Sequence, residues 1–496
     1  MEEIIQYFAE VCYERFMEEQ EKIFKNPKGF SDFEKGVTEA VNGLGREFIR
    51  LTLEEMNRCF KDSSWRREKW YVEDTDRKQL VTTLGTVTYE KTLFVSRTER
   101  TEDGKEVMCY LLDKALGFTE NQRITEAATE RIYREAVQTS YRKGGEAISK
   151  GDKVSKQAVK ELLHETVFPP NFRIPEQKRV VEYLYIDADE DHYSLQFRNK
   201  KGDIERDERG YKKNGAMTKL IHVYEGIEPE APKSKRNRLI HPHYFCRGEG
   251  DNGELWDEVY AYIEAHYDTD NIKQIYLNSD GGAWIKSGYK RIDGIEYVLD
   301  EFHLSKYLLK MTGHMLDSQQ DARYRLCKII KRGSKEEFRA EAENLKGYTE
   351  SEKKKEQIQK AADYVLENWG AARKRLWKRN GVLACSAEGH VYHVLSSRMS
   401  SLAMGWSRHG ASQMARLREY YHNGGDMLEL ARYQKAVIPK AAGTEELELS
   451  AKAVLSSEMD RRSKTERETG KYMETMTHTL SLQGRKKLSF SIHAYL

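Results

Sequence analysis

The chain has 496 residues and a mass of 57.9 kDa, more than one ordinary core holds, so two to four domains are expected. Mean hydropathy is −0.80 and 33% of residues are charged, yet 29 Tyr and 7 Trp exclude a largely disordered chain. Lys and Arg number 83 against 81 Asp and Glu, so net charge alone does not announce a nucleic-acid partner, and no apolar run approaches the roughly 18 residues of a membrane span.

The opening stretch MEEIIQYFAEVCYERF is acidic and amphipathic rather than basic and then apolar, which points to a cytosolic protein. Ile4, Phe8, Val11 and Cys12 share one helical face and NGLGREFIRLTLEEMNRCF repeats the pattern, so residues 1–60 are expected to be helical. From about Leu80 to Leu112, β-branched and aromatic residues in VTTLGTVTYEKTLFVSRTE and EVMCYLLD predict a small antiparallel sheet. ITEAATERIYREAVQTSYRKGGEAI then reads as one long helix or two, ending near Gly144–Gly145. In the following GDKVSKQAVKELLHE, Ser155 suits an N-cap. A helix, a glycine-bearing turn and a short helix resemble a helix-turn-helix, although two helices so joined are equally common without DNA. The six cysteines, Cys12, Cys59, Cys109, Cys246, Cys327 and Cys385, are scattered with no C-x-x-C pair, which favours packed, reduced thiols.

Prolines cluster at Pro169, Pro170 and Pro175 and again at Pro229, Pro232 and Pro242, marking boundaries or connecting loops. Residues 178–225 and 272–280 read as strands. Within YLYIDADEDHYSLQF, Asp187, Asp189 and Asp191 fall on one strand face, because side chains repeat every two residues. The segment is either an exposed acidic hairpin or the holder of a cation. In IKQIYLNSDGGAWIKSG, a hydrophobic strand ends at Asp280 before Gly281 and Gly282; this is an ordinary Asp-Gly turn or an active-site carboxylate at a strand end. GIEYVLDEFHLSKYL brings Asp300, His303 and Lys306 soon after.

Residues 303–380 lack proline and carry helical periodicity with many charges, predicting an all-helical block of about five helices. In GVLACSAEGHVYHVLSSRMSSLAMGW, Glu388 enters a predicted helix, with His390, His393 and Arg398 following; a first-turn Glu is also ordinary helix-dipole chemistry. The basic clusters KSKRNR, RKRLWKR and GRKK are individually weak signals, and the tail from 431 to 496 has no usable pattern.

Two strand-borne Asp residues followed by a helix-borne Glu are what a two-metal phosphoryl-transfer site requires. The order Asp189, Asp280, Glu388, with helices filling the last gap, resembles DDE-type transposases whose ribonuclease-H-like core is split by an all-α insertion. YIDADEDHYSLQ, YLNSDGGAWI, LDEFHLSKYL and CSAEGHVYHVLSSRM are similar to a bacterial insertion-sequence transposase group, the Lre type, long an uncharacterised family. RTERTEDGKEVMCYLLDKALGF and SYRKGGEAISKGDKVSKQAV fit it too, and Asp300 with His303 resembles the Asp-x-x-His motif of Mutator-like transposases.

The resemblance implies a multidomain α+β or α/β chain. Its parts would be a helical and small-sheet region at 1–120, a helix-turn-helix-like segment at 121–170, a ribonuclease-H-like core at 178–302 and 381–430, a helical insertion at 303–380, and a tail at 431–496. Asp189, Asp280 and Glu388 would hold two Mg²⁺ or Mn²⁺ ions, with Asp187 the alternate for Asp189. His303, Asp300 and Arg398 would support them, and Lys153, Ser155, Lys156 and Lys306 would contact DNA. The expected partners are double-stranded DNA, both terminal inverted repeats and target, and further copies of the chain in a dimer or larger assembly, without a membrane. The expected place is the bacterial cytoplasm, on the nucleoid. A ribonuclease-H-like nuclease without strand transfer and an inactive DNA-binding relic are the rival readings.

Overall fold

The computed structural model describes residues 2–437, apart from 102, 120, 149–152, 198–205, 207, 209, 211–212, 249, 251, 289–290, 378–380 and 403, together with 450 and 452–457. All elements below lie among these residues. They divide into two units, one drawn from residues 1–136, 140–159 and 427 onward, the other from 137–139 and 160–426.

In the first unit, α1 (Glu2–Tyr7) runs through a π-turn at Phe8–Cys12 into α2 (Tyr13–Lys25), and α3 (Phe30–Asp62) and α4 (Ser64–Lys69) follow. Strands β1 (Trp70–Thr82), β2 (Gly85–Arg100) and β3 (Glu106–Cys109) form an antiparallel sheet in that order. The sheet begins ten residues before the expected Leu80, because the first half of β1 holds mostly exposed polar side chains and shows no apolar alternation. The α3 helix presses Leu53 and Phe60 onto the sheet, and Asn57 exchanges two 3.0 Å hydrogen bonds with Thr92 of β2. Helices α5 (Leu111–Ala115), α6 (Glu126–Ala136), α7 (Tyr141–Glu146) and α8 (Lys156–Glu165) come next, α8 passing from one unit to the other.

The glycine pair does not form the turn expected of a helix-turn-helix. Gly144 and Gly145 are buried inside α7, and α8 begins only at Lys156. A Cβ on Gly145 would lie 2.1 Å from the Val154 carbonyl, so the glycine serves the close return of the chain rather than a bend. Ser155 does cap α8, its hydroxyl accepting from Ala158 N at 3.1 Å.

The second unit is built on β4 (Tyr183–Ser194). Next to it lie β5 (Gly215–Tyr224) and, beyond a small hairpin of β6 (Gly226–Pro229) and β7 (Asn237–Ile240), β8 (His243–Arg247), all antiparallel. Helix α9 (Asn252–His266) then carries the chain over the sheet to β9 (Gln274–Ser279), which pairs parallel with β4. A short α10 (Ala283–Gly288) leads to β10 (Ile295–Leu299), parallel to β9. The five strands therefore stand in the order β8-β5-β4-β9-β10, that is third, second, first, fourth, fifth. Parallel neighbours need a crossover, and α9 supplies it by burying Leu255, Trp256, Val259 and Ile263 against Leu184, Ile186, Ile275 and Leu277. A buried side chain of this size contributes about 2 kcal/mol.

Five helices follow, as the proline-free periodicity predicts: α11 (Glu301–Thr312), α12 (Gln319–Arg332), α13 (Lys335–Gly347), α14 (Glu352–Glu367) and α15 (Trp369–Trp377). They enclose an apolar core of their own around Leu308, Leu326, Phe338, Ile358 and Val365. The chain then returns to the sheet through α16 (Ala387–Val391), a π-turn at Tyr392–Ser396, α17 (Ser397–Met399) and α18 (Arg408–His422). Last, α19 (Met427–Val437) rejoins the first unit, packing on α6 and pairing Lys435 with Glu126. No helix among the described residues is long and apolar enough to cross a membrane.

Candidate active site

Strand β4 has two different faces. Leu184, Ile186 and Ala188 point into the α9 core, so Asp187, Asp189 and Asp191 point to the other side. On that side Tyr185 stacks between Tyr224 and Tyr276 at 5.3 and 5.9 Å. The parallel register with β9 matches Tyr185 to Tyr276 and Asp187 to Asn278. Two residues further along β4, on the same face, comes Asp189, and just past the end of β9 comes Asp280, whose charge acts on Asp189.

Asp187 is completely buried, and its oxygens are taken. Oδ1 accepts from Asn278 Nδ2 at 2.7 Å and Tyr224 OH at 3.1 Å; Oδ2 accepts from Ser386 N at 2.6 Å and Ser386 Oγ at 2.9 Å. Burial pushes its carboxyl up, and these four donors oppose the shift. His222, driven down to about 3 by burial and therefore neutral, touches Ser386 Oγ at 3.2 Å. Arg375 of α15 orients the network from behind. Its guanidinium donates to the carbonyls of Leu299 and Leu383 and, at 2.7 Å, to Asn278 Oδ1, which turns the Asn278 amide nitrogen toward Asp187.

Asp189 differs. It is half-buried, and among the described residues its Oδ1 accepts only from the neighbouring Glu190 N, at 2.8 Å. Burial first, then the negative charges of Asp280 and Glu190, raise its carboxyl to about 6, with His303 pulling the other way. Asp280 sits where β9 ends. Its Oδ1 accepts from Gly282 N at 2.9 Å, and its carbonyl accepts from Tyr364 OH of the helical block at 2.5 Å. Gly281 takes φ +91°, where a Cβ would strike Tyr297 OH and Asn368, so the turn that presents Asp280 requires glycine. Asp300 caps α11, accepting from Phe302 N and His303 N, and holds His303 Nδ1 at 2.8 Å. That hydrogen bond, followed by the charges of Asp280 and Asp189, raises the His303 imidazole above its usual value.

The result is two neighbouring carboxylates that act on each other's charge, with the His303 imidazole, held by Asp300, beside them. Half-buried oxygen donors of like charge suit a hard divalent cation such as Mg²⁺ or Mn²⁺. The third carboxylate is not gathered with them: among the described residues, no group of three or more His, Cys, Asp or Glu stands close enough to hold a metal ion. Glu388 lies exposed in the first turn of α16, on a helix that packs against β4.

Residues 24–436 match the model of an uncharacterised protein family, UPF0236. The chain belongs to this family. A UPF0236 protein of Caldanaerobacter subterraneus subsp. tengcongensis, whose name joins eleven locus designations, is 35% identical over 410 residues, covering 83% of this chain and 81% of its own. A second from the same organism is 35% identical over 394 residues, 79% of each chain. Among solved structures, the Drosophila P element transposase strand transfer complex aligns over 68% of this chain and 83% of that one, at 10% identity. Its TM-score of 0.22 is too low to argue from.

The remaining expected residues of this UPF0236 chain fall in different places. Lys306 is exposed on α11, its ammonium 5.7 Å from the Phe302 ring. Lys153, 3.9 Å from Glu146, and Lys156 are exposed around the start of α8 in the first unit. Arg398 departs from expectation. It is 2% exposed, lies over the Trp406 ring and donates to Met404 Sδ, so it braces the α17 region from inside instead of facing phosphate. Asn278, Arg375, Ser386 and Tyr224 were not singled out from the sequence. Of these only Asn278 carried a signal, lying two residues before Asp280 at the end of the same strand.

Proposed function

We propose that this chain is a DDE-type transposase, cutting and joining double-stranded DNA with a ribonuclease-H-like core split by an all-helical insertion. The observation that carries the reading is the placement of its carboxylates. Asp189 and Asp280 come from the first and fourth strands, adjacent and parallel, in a sheet ordered third, second, first, fourth, fifth. Glu388 follows the helical block on a helix packed against the first strand. A relative whose single name covers eleven loci is what multiplication within a genome would leave.

In this reading Asp189 and Asp280 would hold Mg²⁺ or Mn²⁺, and Glu388 of α16 would add the third carboxylate. Such ions would supply activation of the attacking oxygen and stabilisation of the leaving one. His303, fixed through Nδ1 by Asp300, offers its other nitrogen to a phosphate oxygen or an attacking water. Exposed Lys306, Lys153 and Lys156 neutralise phosphates of the element's terminal repeats or of the target. Two ends must be brought together for joining, which calls for a dimer or larger assembly on DNA.

The test is cleavage and joining on a labelled duplex made from the DNA flanking the gene, with Mg²⁺ present. The wild type should yield strands joined to a target plasmid. Asp189→Asn, Asp280→Asn and Glu388→Gln should each fall by about 100-fold or more while still binding the duplex. Hydrolysis without joined product would favour a nuclease, and variants as active as the wild type would sink the carboxylate assignment.

A further inference from the structure

Both neighbours of Asp189 on its strand face bind the same piece of chain. Asp187 receives Ser386, the residue just before α16, through backbone and hydroxyl. Asp191 is buried too, and its Oδ1 accepts from Ser396 Oγ and Ser400 Oγ, each at 2.7 Å, at the far end of the same segment. Between these ends the π-turn at Tyr392–Ser396 releases carbonyls from regular helical pairing. The buried Arg418 of α18 collects them, donating to His393 O and Val394 O and, at 3.1 Å, to Ser397 Oγ.

We infer that Asp187 and Asp191 are positioning residues: together they clamp segment 386–400 to β4 at both ends and so hold α16, the helix that carries Glu388, against the strand that carries Asp189. The inference rests on the transposase reading for what Glu388 does, but not for the clamp. The chemistry follows from the donors. Every protein contact to Asp187 and Asp191 described above comes from an N–H or O–H, so both act as acceptors; Asp187 uses both oxygens, whereas Asp191 uses Oδ1 alone among the described residues. A carboxamide at 187 would set an NH₂ against either the Asn278 and Tyr224 pair or Ser386. Arg375 extends the same chain of contacts backward through Asn278, so the helical block reaches the clamp through buried hydrogen bonds alone.

The experiment compares full-length wild type with Ser396→Ala/Ser400→Ala, Asp187→Asn and Glu388→Gln. Backbone hydrogen exchange and Mg²⁺-dependent cleavage of the flanking duplex are both measured. The serine double variant removes two hydroxyls and leaves the sheet intact, so it reports even if Asp187→Asn does not fold. Exchange across 387–400 should rise about tenfold or more, with the β4, β5 and β9 amides unchanged. Cleavage should lose about 100-fold in kcat at unchanged KM for the duplex. Ser396→Thr/Ser400→Thr, which keeps both hydroxyls, should restore both readouts, and Glu388→Gln should lose cleavage without any change in exchange. Unchanged exchange in the serine variant overturns the clamp, and raised exchange with undiminished cleavage overturns its positioning role. A wild type that never cuts DNA removes the transposase reading instead, and the exchange result then decides the clamp by itself.

Discussion

Asp189 can be distinguished from Asp187 by how each carries its charge. Asp187 is fully buried yet surrounded by donors, whereas Asp189 faces Asp280 and Glu190 with a single backbone donor, and its carboxyl rises to about 6. An acid raised in the folded state stabilises the fold fully below its unfolded value near 4, and that contribution is lost as pH climbs through 6. Allowing for partial exposure, the loss is about 2 kcal/mol. Asp189→Asn should therefore match wild-type stability at pH 4 and exceed it by about 2 kcal/mol at pH 7 in urea denaturation. Parallel pH profiles for the two proteins would contradict the raising of the Asp189 carboxyl by burial and by the charges of Asp280 and Glu190. None of this could be read from YIDADED. Period-two alternation puts Asp187, Asp189 and Asp191 on one face and stops there. What separates them is Ser386, about 200 positions away, and Ser396 and Ser400, which only the fold brings back.

At the scale of elements, local pattern served where an element's partner lies nearby or where its chemistry is one-sided. The five helices after β10 were legible because each buries one apolar stripe in a core they share, and the Asp280 turn was legible because Gly281 must adopt a positive φ. The early half of β1 was not, since an exposed strand need not alternate. Nor was the fate of the Gly144–Gly145 pair, which depends on where Val154 passes. The key that joins the helical block to the sheet was also hidden, because arginine in RKRLWKR reads as a surface charge. Arg375 is in fact 3% exposed, and its guanidinium serves Leu299 O, Leu383 O and Asn278 Oδ1. Arg375→Met keeps the stem and removes all three hydrogen bonds, stranding buried acceptors. The second unit should lose about 3 kcal/mol or more, seen as a lower urea midpoint at an unchanged slope. A near-neutral substitution would mean that the apolar core of α11–α15 alone holds the block to β10.

The chain does not complete one unit before it begins the other. The family match at 24–436 runs through both units, and α19 carries the chain back to α6 after the sheet is complete. Ligand binding to one unit should therefore be read against a two-unit unfolding curve, in which only the transition of the unit with the five-stranded sheet responds. If Asp189 and Asp280 take a divalent cation with a Kd on the order of 1 mM, 10 mM Mg²⁺ adds about 1.4 kcal/mol to that unit. For a unit of this size the shift is about 3 °C in Tm. Protons compete with the cation for Asp189, whose carboxyl titrates at about 6, so the shift should be present at pH 8 and nearly vanish at pH 5. Asp189→Asn and Asp280→Asn should abolish it while KCl of matched ionic strength leaves every protein unmoved, and calorimetry resolves the two transitions. A shift that survives in Asp280→Asn, or that is the same at both pH values, would place the cation elsewhere and leave the acidic face of β4 as a docking surface for α16 alone.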